Sequence, residues 1–200
     1  MWDWLAQWSR RIQAVRHEGA ARAAYEQGRA ADALTHARAL YDFDLDNPWA
    51  NFLLACHHLE AGRYAEALPH LERVAEDWPQ EACIPYALGV CHYELDRPAE
   101  AIAAYKRALA LGPDWIRAYK NIGRDLYVLG DYAAAEAALR QYCALMPDDR
   151  EAHDLLGYLC YRQGKFRTSF GHYERARRLD PLNPNLDRNA RLLYRRSALS

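Results

Sequence analysis

An all-α fold built of about five antiparallel helix pairs, with a capping helix at each end, is predicted by three observations. The first is a fixed period. Pro79, Pro113, Pro147 and Pro181 stand thirty-four residues apart, and Ala33, Ala67, Ala101, Ala135 and Ser169 keep the same step, as do Gly89, Gly123 and Gly157. Self-similarity at this spacing marks an array whose units bury their apolar faces by stacking on one another. The second is that each period holds two helical stretches of about fourteen residues around a short turn. The third is composition: 51% hydrophobic and 26% charged residues suit a soluble helical chain.

Taken in order, residues 1–13 form a Trp-rich amphipathic capping helix. Leu5, Trp8, Ile12 and Val15 fall at helical spacing, and Trp2 and Trp4 add two large rings. A terminal repeat needs such a cover for its apolar face. The same residues, Trp2, Trp4, Leu5, Trp8 and Ile12, also make a second candidate surface, for a partner, a second copy of the chain or a membrane interface. Five units follow at 14–47, 48–81, 82–115, 116–149 and 150–183. Their internal turns are Gly28-Arg29, Gly62-Arg63-Tyr64, Asp96-Arg97-Pro98, Gly130-Asp131-Tyr132 and Gly164-Lys165-Phe166. Glycine provides the left-handed conformation of a helix end, and Pro98 can begin the next helix without losing a hydrogen bond. Asn47-Pro48 and Asn183-Pro184 read as a cap followed by a first-turn proline. The first unit is degenerate, with Ala20-Ala21 where later units have Leu-Gly or Ile-Gly. Residues 184–200 form a basic capping helix, with Leu186, Leu192 and Leu193 available for packing.

The small residues have a steric purpose. Gly89, Gly123 and Gly157 on first helices, with Ala67, Ala101 and Ala135 on second helices, let paired backbones come close. Leu88, Ile122, Leu156, Tyr105 and Tyr173 fill the space around that contact.

Several functions are disfavoured. A formal net charge of -1 provides no field for nucleic acid. No apolar run reaches the roughly 18 residues of a membrane span, and the N-terminus lacks a secretory signal. Cys56, Cys83, Cys91, Cys143 and Cys160 form no CxxC pair, so neither a zinc site nor a thioredoxin-like motif is signalled, and most of them read as reduced core thiols of a cytoplasmic protein. His57, His58 and His92 read as satisfied interior histidines. No phosphate loop or nucleophile elbow is present. The expectation is a non-enzymatic chain without metal or cofactor.

The run Tyr119-Lys-Asn-Ile-Gly-Arg-Asp-Leu126, then Gly130-Asp-Tyr132, Ala135, Leu139 and Pro147, resembles the tetratricopeptide repeat family. The resemblance covers residues 14–183 and is strongest in the last three units. It implies helix pairs stacked in a right-handed superhelical solenoid, whose first helices line a concave groove for a peptide or partner helix. Carried over unit by unit, it places Trp49, Phe52, Cys56 and Leu59, then Cys83, Tyr86, Val90 and Tyr93, on that groove. Arg117, Lys120, Asn121, Arg124 and Tyr127 follow, then Glu151, Asp154, Tyr158 and Tyr161. Aromatic side chains make strong anchors because they offer large area with few rotors. Arg117, Lys120 and Arg124, three and four residues apart, share a helix face that could hold a partner carboxylate; the alternative is pairing with Asp125 or Glu151. The lysine–asparagine–arginine clamp by which some relatives grip chaperone tails is not kept, since Arg124, Glu151 and Leu155 replace its members. The expected activity is that of a protein-binding scaffold or adaptor, with self-assembly through the N-terminal helix as an alternative.

Overall fold

The computed structural model describes the backbone of residues 3–197 and the side chains of residues 13–193. The described residues are helices and short turns, without a strand: α1 (Asp3–Glu26), α2 (Ala30–Phe43), α3 (Pro48–Glu60), α4 (Tyr64–Asp77), α5 (Cys83–Glu94), α6 (Pro98–Leu111), α7 (Arg117–Val128), α8 (Tyr132–Leu145), α9 (Arg150–Arg162), α10 (Phe166–Leu179) and α11 (Pro184–Ser197). They gather into two compact bodies, Met1–Arg97 and Pro98–Ser200. The 82–115 unit contributes α5 to the first and α6 to the second. Within each body, helices consecutive in sequence pack against one another.

The predicted capping helix and first repeat helix run together as one helix, α1. No proline or turn sequence lies between residues 3 and 18, so nothing in that stretch ends the helix. The side chains of Trp2, Trp4, Leu5, Trp8 and Ile12 lie outside the described residues.

The turns follow the sequence. Gly130 takes φ +81 at the end of α7, and the amide of Asp131 returns to the Leu126 carbonyl at 2.9 Å, closing the helix. The third turn has Asp96 at the same place, with φ +58. Aspartate tolerates this region better than most residues. Asn47 caps α3 by accepting from the amides of Trp49 and Ala50, and Pro98 and Pro184 open α6 and α11. Asp131 caps α8 and Asp149 caps α9.

The core of the second body shows what the small residues do. Leu139, Tyr142, Leu156 and Leu159 are buried with Ala135 and Ala152. A Cβ at Gly123 would stand 2.6 Å from Leu139 Cγ, and one at Gly157 would stand 2.9 Å from the Tyr173 ring. The missing side chain thus makes room for the large residue of the partner helix, as well as for its small one. The Ser169 hydroxyl donates to the Gly157 carbonyl at 2.6 Å, a contact available only at close approach. α11 covers α10 with Leu186, Ala190 and Leu193, whereas Leu192 is 54% exposed.

A polar seam recurs between first and second helices, at residues nineteen apart. His17 and His36 bring their Nδ1 atoms to 3.1 Å, and His153 and His172 to 3.2 Å. In the second unit His70 meets the Asn51 side-chain oxygen at 2.8 Å. His153 Nε2 lies 3.0 Å from the Pro147 carbonyl, which can only accept, so Nε2 donates to it. Burial, with the charges of His153 and Arg140, pushes His172 down to about 4.

Among the buried polar atoms without a partner, those of His92 and Asp125 break the pattern. His92 Nδ1 has no hydrogen-bond partner, so this histidine is not the satisfied interior residue expected. Asp125 on α7 is fully buried and neither carboxylate oxygen is hydrogen-bonded. Equivalent positions one repeat away hold Cys91 and Leu159, both buried. Burial pushes the Asp125 carboxyl up to about 7, with Arg124 opposing.

Candidate functional site

The first helices carry the candidate site residues, and their surroundings differ between the two bodies. In the first body Trp49 and Phe52 on α3 are three residues apart, so they share a face. Their rings meet edge-on at 5.9 Å. Trp78 closes on both at 5.2 and 5.5 Å, and Tyr25 of α1 on both at 6.4 and 5.6 Å. The Arg22 guanidinium lies 5.3 Å from the Trp49 ring centre. The result is a four-ring cluster in which Trp49, Phe52 and Trp78 are half-buried and Tyr25 is exposed, with a cation over the Trp49 ring. Tyr25, Trp78 and Arg22 were not singled out in the sequence. The ring at Trp78 comes immediately before the periodic Pro79, and that adjacency was the available signal. Cys56 lies one turn beyond Phe52, and burial pushes its thiol up to about 11, which keeps it protonated and unreactive. Tyr86, Val90 and Tyr93 on α5 are half-buried. All five cysteines are free thiols.

In the second body the cationic face resolves into unlike parts. Lys120 Nζ binds the Asp149 carboxylate at 3.0 Å and Glu151 at 2.6 Å, with only 17% of its side chain exposed. The Tyr142 hydroxyl donates to the same Asp149 at 2.7 Å, and Asp149 also caps α9. Burial draws the Lys120 pKa down, but its bonds to Glu151 and Asp149 outweigh this and raise it. Burial likewise opposes ionisation of Asp149, and the Ala152 amide, Tyr142 and Lys120 reverse that, holding it below the usual carboxylate range. Lys120 therefore ties α7 to the start of α9, and its charge is neutralised within the protein. Arg117 is exposed, while Asn121 and Arg124 are half-buried. Asp154 pairs with Arg150 at 3.7 Å, and burial raises its pKa.

Lys120→Ala is accordingly expected to lower stability by about 1–3 kcal/mol, because it leaves a partly buried carboxylate without its charged donor. Urea unfolding checks this; an unchanged midpoint would return Lys120 to the role of a solvated surface charge.

Tyr127 and Tyr158 come together, their rings T-shaped at 5.7 Å. Arg162, one turn after Tyr158, was missed in the sequence. Its guanidinium stacks over Tyr132 at 4.8 Å and Tyr158 at 5.7 Å and donates to the Tyr158 oxygen at 2.7 Å. The four-residue step from Tyr158 was the signal available. Tyr161 faces Phe166 at 6.0 Å. With Tyr158 it borders a cavity of about 350 Å³ completed by Tyr173, Asn189, Leu192 and Leu193. Among the described residues no group of three or more His, Cys, Asp or Glu is placed to hold a metal, and no helix is long and apolar enough to cross a membrane.

Paired helices at a regular period, with aromatic clusters on the first helices α3, α7 and α9, define a helical-repeat protein. A tetratricopeptide repeat model matches residues 52–114 and 120–184, and the chain belongs to the tetratricopeptide repeat family, whose members mediate protein–protein interactions. Solved structures share the fold. YrrB, described as a tetratricopeptide repeat protein with an unusual peptide-binding site, superposes with a TM-score of 0.76 at 17% identity, over 89% of this chain and 91% of that one. MamA from Desulfovibrio magneticus RS-1 does so with 0.71 at 17% identity, over 86% and 97%. The Cut9–Hcn1 assembly of the APC/C gives 0.65 at 17% identity, over 86% of this chain and 35% of that one. Compared by sequence with curated proteins, the chain has no match.

Proposed function

We propose that this protein is a non-enzymatic adaptor that binds a peptide segment or helix of a partner on the face made by its first helices. The observation that carries the reading is the clustering of half-buried aromatic rings on first helices within each body, around Trp49 and Phe52 in one and Tyr127 and Tyr158 in the other. Rings held in place by their neighbours lose little further freedom on binding, which is the property of a binding anchor. Arg117, Asn121 and Arg124 precede Tyr127 on α7 and contribute polar selection; Lys120 contributes position, by fixing α9 against α7. Five free thiols suit a reducing compartment such as the cytoplasm. The peptide-binding site in the printed description of YrrB supports the same use of the fold.

Site-specific photo-crosslinking tests the reading. A crosslinker at Tyr161 or Arg117, both exposed on first helices, is expected to capture partner protein in cells. One at Gln141, exposed on α8, is expected to capture none. Capture from Gln141 alone, or equal capture from all three, overturns it.

A further inference from the structure

Arg162 is a cation of the second body held by aromatic rings rather than by a carboxylate. Lys120, Arg140, Arg150, Lys165 and Arg177 each lie within ion-pair distance of a carboxylate. Among the described residues, none lies within that distance of Arg162. Its contacts are two tyrosine faces and one phenol oxygen. Stacking immobilises a guanidinium while leaving its N–H edge open, and that planar edge matches a carboxylate. The arm is thus already ordered, so little freedom remains to be lost on binding. Tyr158 holds this arm on one side and lines the cavity of about 350 Å³ on the other. The cavity wall is mainly apolar, from Leu192, Leu193 and tyrosine rings, with Asn189 as a polar point.

We propose that the fifth repeat selects a partner segment bearing an acidic side chain two residues from an apolar one, with the carboxylate on Arg162 and the apolar group in the Tyr161–Leu192 cavity. Tyr158 is common to both subsites, since Arg162 donates to its oxygen at 2.7 Å and its side chain lines the cavity. Alternate side chains of an extended peptide point the same way about 6.6 Å apart, so residues i and i+2 can reach two subsites that share one tyrosine. The inference rests on the peptide-binding reading above and narrows it to one ligand chemistry.

The test is a titration of the isotope-labelled full chain, followed by NMR, with the blocked peptide acetyl-Gly-Leu-Gly-Glu-Gly-amide. Saturable shifts are expected at the Arg162 side chain and at Tyr158, Tyr161 and Leu192. Binding is expected to weaken about tenfold when glutamine replaces the peptide's glutamate, and about tenfold in Arg162→Gln, whose melting curve checks that it stays folded. Equal binding of the two peptides, or of the two proteins, overturns the acidic selection while leaving groove binding intact. Shifts confined to α8 and α10 overturn both readings. Binding of a glutamine peptide with a free C-terminus, in preference to the blocked glutamate peptide, would make the ligand a chain end and overturn the side-chain assignment. No shift at millimolar peptide overturns the inference alone, since the crosslinking result stands independently.

Discussion

Replacing Asp125 by leucine raises the stability of the folded chain, and the gain is largest above about pH 7. The carboxyl is fully buried and neither oxygen has a hydrogen-bond partner, so ionising it in place costs solvation that nothing returns. Burial lifts its pKa from 3.8 to about 7. The folded chain therefore holds the proton after the unfolded chain has released it, and stability falls as pH rises between those values. At 1.36 kcal/mol per pH decade, the penalty approaches about 4 kcal/mol once both states are ionised, and it vanishes below the unfolded value. Leucine at the equivalent position is already tolerated, since Leu159 is fully buried. Urea unfolding of wild type and Asp125→Leu at pH 5 and pH 8 separates the outcomes. The advantage of the variant should shrink by about 2–3 kcal/mol at the lower pH. A pH-independent difference would mean that side-chain shape, rather than charge, governs the site.

A single methyl group at Gly123 or Gly157 produces the opposite result. The added Cβ would meet Leu139 Cγ at 2.6 Å or the Tyr173 ring at 2.9 Å, both inside contact distance. Leu139 and Tyr173 are buried against neighbouring helices and have little room to retreat. Overpacking of this kind costs about 1–3 kcal/mol, enough to offset the helix propensity alanine brings. Gly171 is the internal control: it is helical and exposed, and nothing lies within 4 Å of an added Cβ. Gly171→Ala should gain about 0.5–1 kcal/mol where the other two lose. Thermal melts of the three variants decide the matter; a common sign for all three would show that helix propensity outweighs interhelix contact.

Much of the architecture could be read without coordinates. The thirty-four-residue step gave the helix pairs, and Asn47, Pro98, Gly130 and Pro184 marked real helix ends. The family resemblance directed attention to Trp49, Phe52, Tyr127 and Tyr158, which the structure brings into aromatic clusters. Other features were hidden. α1 continues through the predicted boundary at residue 13 because a helix ends where something stops it. Arg162 drew no attention because a lone arginine near a helix end ordinarily marks a solvated surface.

Turn conformations, helix caps and the period of the small residues depend on neighbours a few positions away, so the amino-acid order alone determined them. The condition of each charge depended on groups far along the chain. Lys120 is neutralised by Asp149 and Glu151, about thirty residues later. Asp125 is orphaned by packing that no local spacing records, and Arg162 is held by Tyr132, thirty residues earlier. Electrostatic interaction depends on distance through space and on the dielectric in between. Only the tertiary structure settles those two quantities, and with them which cations are free to meet a partner.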